Sequence, residues 1–210
     1  MQSVPLPDRR ERLAAAVDRA WEICFHRIAS GLLVIHREAS LQLHLGLIVQ
    51  GFGELACLAP DERFTLELES GHHGKSIDLF CTLGDPRDER DAMHAAIELK
   101  CFLKSSNRAT DLDMCDALQD VVRLESYDHA AVRRFLCLTD NPYYPKGAHR
   151  GHAGPVSIRD GRLLPAGGEI VPGWKGIWED HSRDKPLRLK REARLDWQES
   201  NGWYALRLDV

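Results

Sequence analysis

Apolar residues recur at helical spacing from Asp8 to Ser30, at Leu13, Val17, Ala20, Trp21, Cys24 and Ile28. That spacing predicts a helix with one buried stripe. Gly31 interrupts the stripe, and a second helix is predicted from about Ile35 to Gln50. Leu41, Leu45 and Ile48 mark one side of it, Leu43, Leu47 and Val49 widen the apolar face, and Glu38 falls in its first turns. Residues 51–61 hold two glycines and Pro60, so they read as loop or frayed helix end. From Phe64 to Glu69 polar and apolar residues alternate, the signature of a half-buried strand. Ser70 to Lys75 is then a turn, with His72 and His73 solvent-facing, that delivers the chain into a strand at Ser76–Phe80.

A charged loop at 84–91 leads to a second apolar run, Ala95–Leu103, and a polar connection follows at 104–108. Thr110 or Asp111 is placed to cap a helix that runs to about Ser126. Arg134–Thr139 is a further strand. Strand, strand, strand, helix, strand implies an α/β fold around a mixed sheet flanked by helices. Residues 141–155 make a long loop, 156–165 look like a hairpin turning at Asp160-Gly161, and Asn201-Gly202 is a strong hairpin signal. The expected organisation is an N-terminal helix packing on the core (1–34), the core (35–140), and a loop and β-hairpin extension (141–210).

Composition narrows the class without naming it. A chain of 210 residues with 43% hydrophobic and 29% charged residues is ordinary for a globular protein. Nowhere does an apolar run approach the roughly 20 residues that span a bilayer. Met1–Arg12 carries no apolar leader core. The six cysteines form no Cys-x-x-Cys pair, which argues against a zinc ribbon and for buried thiols in a reducing cytoplasm. Net charge is −4, spread unevenly: residues 146–210 hold 12 basic against 9 acidic side chains, the remainder 16 against 23. An acidic half beside a mildly basic one suits a metal-dependent enzyme acting on a polyanion; ordinary surface variation explains it equally.

The candidate chemistry lies in the two apolar strands. Asp78 interrupts the first, and Glu98 and Lys100 interrupt the second on one face, with Ile97, Leu99 and Cys101 on the other. A charge buried in a strand costs several kcal/mol unless something compensates it. Two carboxylates and an ammonium converging on one spot would compensate one another and could hold a divalent cation. The alternative is a Glu98–Lys100 salt bridge on an exposed sheet face.

With Asp78 in one strand and Glu98-x-Lys100 in the next, inside an αβββαβ order, residues 35–140 resemble the PD-(D/E)xK (restriction-endonuclease-like) nuclease superfamily. Ile77 stands where the motif's name has Pro. The resemblance implies a restriction-endonuclease-like core and Mg²⁺, with Mn²⁺ able to substitute, held by Asp78, Glu98 and the Leu99 backbone carbonyl. It implies that Lys100 positions or activates the attacking water and stabilises the charged transition state. A helix carboxylate often joins such sites, and Glu38 is the candidate, against a plain helix N-terminal acid. Lys75, Lys104 and Arg108 are candidates for the nucleic-acid backbone, against ordinary solvated charges. Gln119 and Asp120 belong to the helix over the site, with Asp120 read on its polar face. Tyr143, Tyr144, Trp174 and Trp178 would stack bases or simply pack. The expectation is a magnesium-dependent nuclease, DNA favoured, with a homodimer if both strands of a duplex are cut. The rival is a catalytically inactive protein of the same fold, acting as a nucleic-acid- or protein-binding adaptor.

Overall fold

A computed structural model describes residues 7–72, 75–106, 108–171 and 185–210. Trp174, Trp178 and the side chain of Lys75 lie outside the described part. Helix α1 (Arg9–Ala29) starts at Asp8, whose carboxylate accepts from the Glu11 N–H at 2.7 Å while Glu11 reaches back to the Asp8 N–H. This reciprocal cap satisfies two backbone donors that a helix start leaves unpaired. Helix α2 (Glu38–Leu55) continues past the expected end at Gln50, through Gly51 and Gly53. Tertiary contact explains why: a Cβ on Gly53 would sit 2.4 Å from the Phe64 ring, so glycine lets the helix lie directly on the strand beside it.

Six strands form the central sheet in the order β1 (Arg63–His72), β2 (Lys75–Gly84), β3 (Met93–Phe102), β4 (Val132–Thr139), β10 (Trp203–Asp209) and β9 (Trp197–Ser200). Only β3 and β4 are parallel, joined across helix α3 (Thr110–Leu124). Helices α1 and α2 cover one face over Leu79, Ile97 and Leu136, while α3 covers the other over Ile77, Ala96 and Phe135. The fold is therefore α/β, with a six-stranded mixed sheet flanked by helices. Among the described residues no helix is long and apolar enough to cross a membrane.

Two local expectations are corrected. Ala109, rather than Thr110 or Asp111, is the N-cap of helix α3, and Asp111 inside the first turn accepts from the Leu112 N–H at 3.0 Å. No hairpin forms at 156–165: β5 (Leu163–Leu164) pairs with β8 (Ala193–Arg194), and β6 (Glu169–Ile170) with β7 (Leu187–Arg188). The turn itself forms at Asp160-Gly161, with the Arg162 N–H donating to the Arg159 carbonyl at 3.3 Å, but the strand that follows it pairs with a distant segment. The expected hairpin at Asn201-Gly202 does form, with both residues at positive φ (49° and 78°) as a type I′ turn requires. Its strand β10 then bonds to β4, so the chain's last residues extend the central sheet. A short helix α4 (Tyr143–Lys146) seats Tyr144 on Phe102, ring centroids 4.8 Å apart, which makes Tyr144 a packing residue.

Candidate active site at the fork between two strands

Strands β2 and β3 pair from Leu83↔Met93 to Leu79↔Ile97 and no further, whereas β3 stays paired with β4 through Phe102↔Thr139. Beyond Leu79 the two strands therefore part, and the β3 edge that faced β2 loses its backbone partner. Carboxylates take the orphaned donors. Asp78 Oδ2 accepts from the Leu99 N–H at 2.6 Å, and Glu38 Oε2 from the Cys101 N–H at 3.1 Å. Buried backbone donors must be satisfied, so the fork itself calls for acids at these two positions. The divergence is anchored from behind. Glu69, opposite Asp78 and outside the ladder, adopts φ +50°, and Gln42 of α2 donates to both the Glu69 carboxylate (2.9 Å) and the Asp78 carbonyl (2.8 Å). A non-glycine residue at positive φ costs on the order of 1 kcal/mol or more, which these contacts offset.

Helix α3 supplies the other half of the site. Lys100 Nζ lies 2.6 Å from Asp120 Oδ2 and 3.8 Å from Glu38 Oε1, and donates to the Leu99 carbonyl at 3.2 Å. Arg123 holds Glu98 through two donors at 2.6 and 3.0 Å and touches Asp120 at 3.0 Å. The salt bridge considered between Glu98 and Lys100 is thus replaced by Glu98–Arg123 and Lys100–Asp120. Four carboxylates (Glu38, Asp78, Glu98, Asp120) face two cations (Lys100, Arg123), a formal charge of −2. Burial first, then Asp120 and Asp78, pushes Glu98 up to about 8. Burial likewise raises Asp78 and Glu38, against the Leu99 N–H in one case and Lys100 in the other. Lys100 is raised in turn: burial opposes its charge, but Asp120 and Glu38 outweigh burial.

A cavity of about 490 Å³ opens beside this group, lined by Glu38, Lys100, Cys101, Arg108, Gln119 and Asp120 among others. Of the residues singled out in the sequence, Asp78, Glu98, the Leu99 carbonyl, Lys100 and Glu38 come together at the fork. Arg108 reaches the cavity rim but is engaged with Asp113 (3.1 Å) and Asp116. Lys104 is exposed on the following turn, where its backbone N–H bonds Asp140 at 2.7 Å. Asp120 does not sit on a solvated face: it is 7% exposed and paired. Arg123 and Gln42 were not anticipated. For Arg123 a signal existed, since Asp113, Asp116, Asp120 and Arg123 recur at spacings of three and four along α3.

Among the described residues no group of three or more His, Cys, Asp or Glu side chains stands ready to hold a metal ion. Lys100 and Arg123 lie between the acids and split them. No family model matches this chain, and no curated protein or solved structure is similar to it.

Proposed function

We propose that this chain is a metal-dependent nuclease of the PD-(D/E)xK type, hydrolysing phosphodiester bonds with Mg²⁺ or Mn²⁺, with DNA the favoured substrate. The observation that carries the proposal is the fork, where an acid from β2, an acid and a lysine from β3 and an acid from α2 meet at the edge of a polar cavity. The donor set offers a hard dication oxygen ligands in an acidic cluster, where burial first, then Asp120 and Asp78, pushes Glu98 up to about 8. Asp78, Glu98 and the Leu99 carbonyl would hold the ion, with Glu38 beside them. A bound dication lowers the pKa of water and offsets charge that develops on a phosphoryl group. Lys100, raised above its ordinary value, keeps its proton at neutral pH. It therefore orients a water and stabilises the anionic transition state rather than abstracting a proton. Glu98 can serve only when Arg123, whose side chain is 41% exposed, turns away from it.

That same pair favours the second reading. A Glu98 closed off by Arg123 is also what a non-catalytic adaptor of this fold would have. Two measurements separate the readings. Isothermal titration with Mn²⁺ gives one site in the wild type and none in Asp78→Ala or Glu98→Ala. Plasmid nicking with Mn²⁺ falls by about a hundred- to thousandfold in Lys100→Ala, with circular dichroism unchanged. Absence of a Mn²⁺ site defeats the nuclease reading, and nicking that survives Lys100→Ala removes Lys100 from the mechanism. Mn²⁺ binding without turnover on DNA or RNA selects the adaptor.

A further inference from the structure

Helix α2 buries Leu41, Leu45 and Val49 against the sheet, yet its outward face is apolar as well. Ala39, Leu43, Leu47, Gly51 and Leu55 follow one another at four-residue steps and are all exposed, Leu43, Leu47 and Leu55 by 52, 66 and 76%. An i±4 row of this kind forms the ridge that packs helices against one another. Gly51 sharpens the point. A helix-interior glycine is unfavourable; Gly53 is excused because the Phe64 ring would lie 2.4 Å from its Cβ, and Gly46 lies against the sheet, where a Cβ would touch Leu66 at 3.4 Å. At Gly51 an added Cβ meets nothing within 4 Å. Among the described residues nothing requires a glycine there.

We propose that this face is a homodimer interface, α2 packing on α2 of a second copy about a two-fold axis through Leu47. Such an axis sets residues equally far before and after Leu47 opposite one another. Leu43 then faces the partner's Gly51 on each side of the axis, so a large side chain meets a small one reciprocally. That reciprocity is what an isologous contact demands and a foreign partner would not. Charge agrees with it. Exposed Glu54 falls opposite the partner's Ser40, one turn from exposed Arg37 and the positive N-terminal end of the helix. Leu58 falls opposite the partner's His36, beside Val34, exposed by 61%. Neither fit depends on the fork or on its chemistry.

Sedimentation equilibrium of the full chain over a concentration series tests the proposal. Wild type associates to a dimer. Leu47→Glu sets two carboxylates face to face across the axis and sediments as a monomer with unchanged circular dichroism. Gly51→Leu fills the notch and raises the dimer dissociation constant roughly tenfold or more. In the dilute monomer that substitution raises the melting temperature, because a good helix former replaces glycine. A wild type that stays monomeric throughout, or a dimer that survives both substitutions, overturns the proposal and leaves the face to a different partner.

Discussion

Glu62 and Glu98 are the same residue type, each withdrawn from solvent to 3% and 1% exposure, and their surroundings drive them in opposite directions. Glu62 accepts from Arg12 (2.6 and 2.8 Å), from Arg9 (2.7 Å), and from the N–H groups of Leu58 and Ala59. The Arg12 hydrogen bonds above all, then Arg9 and the two N–H donors, hold its carboxyl well below the usual range in spite of burial. Two bases there meet two acids, Glu62 and Asp91, and the cluster is a strut between α1 and the loop after α2. Glu98 sits among three other acids with only two bases, and burial with those neighbours lifts it to about 8. Low solvent exposure alone therefore does not distinguish a structural acid from a candidate ligand. At Glu98 burial prevails and neighbouring acids add to it, whereas at Glu62 the Arg12 hydrogen bonds outweigh burial.

The comparison breaks most visibly by removing one charge from each cluster. Glu62→Gln takes the carboxylate from Arg12 and leaves Arg9 with Asp91 alone, and is expected to cost about 3–5 kcal/mol in urea denaturation at pH 7. Glu98→Gln at the same pH removes an acid from an acidic cluster and is expected to cost far less, or to stabilise the metal-free protein. An equal loss in both variants would abolish the distinction.

A smaller effect is the pH profile without metal. Glu98 is raised, so its contribution is complete below its ordinary value of 4.5 and is lost as pH rises to about 8. Glu62 is depressed, so its contribution is present above 4.5 and is lost as pH falls below that. Metal-free stability should peak near pH 5 and decline by at most a few kcal/mol toward pH 8.5. Glu98→Gln should flatten that upper decline and leave the acid limb alone; a decline that persists in the variant assigns it elsewhere.

Smallest is the gain from a cation. At pH 8, Mn²⁺ at ten times its dissociation constant should stabilise the wild type by about 1.4 kcal/mol, read as a rise in melting temperature. Glu62→Gln should retain that increment and Glu98→Ala should lose it. The reverse pattern would place the ion at the strut.

Much of this fold is legible along the chain. The strict alternation at Phe64–Glu69, the apolar runs around Asp78 and Glu98, and Asn201-Gly202 each act through neighbours a few residues apart, and each forms as expected. Where long-range contact decides, local signals fail. Gly51 and Gly53 look like helix breakers until Phe64 is seen beneath Gly53, and Asp160-Gly161 looks like a hairpin until Leu163 is seen paired with Arg194. The site divides in the same way. Asp78, Glu98 and Lys100 stand out because a charge inside an apolar strand is costly wherever it is read. Arg123 stands out less: its spacing from Asp120 and Asp116 marks a shared helix face, but what that face meets is decided only when the helix is docked.

By itself, then, the sequence determined the strands, their alternation and the three charges that the core must accommodate, since those follow from spacing and from the cost of burying charge. Only the tertiary structure decided that β2 leaves β3 at Asp78, that carboxylates replace the missing strand at Leu99 and Cys101, and that Asp120 and Arg123 come down on the same spot. Those are matters of register and docking between segments 20 to 60 residues apart. No local pattern encodes them, because their free energy comes from groups that meet only after the chain has folded.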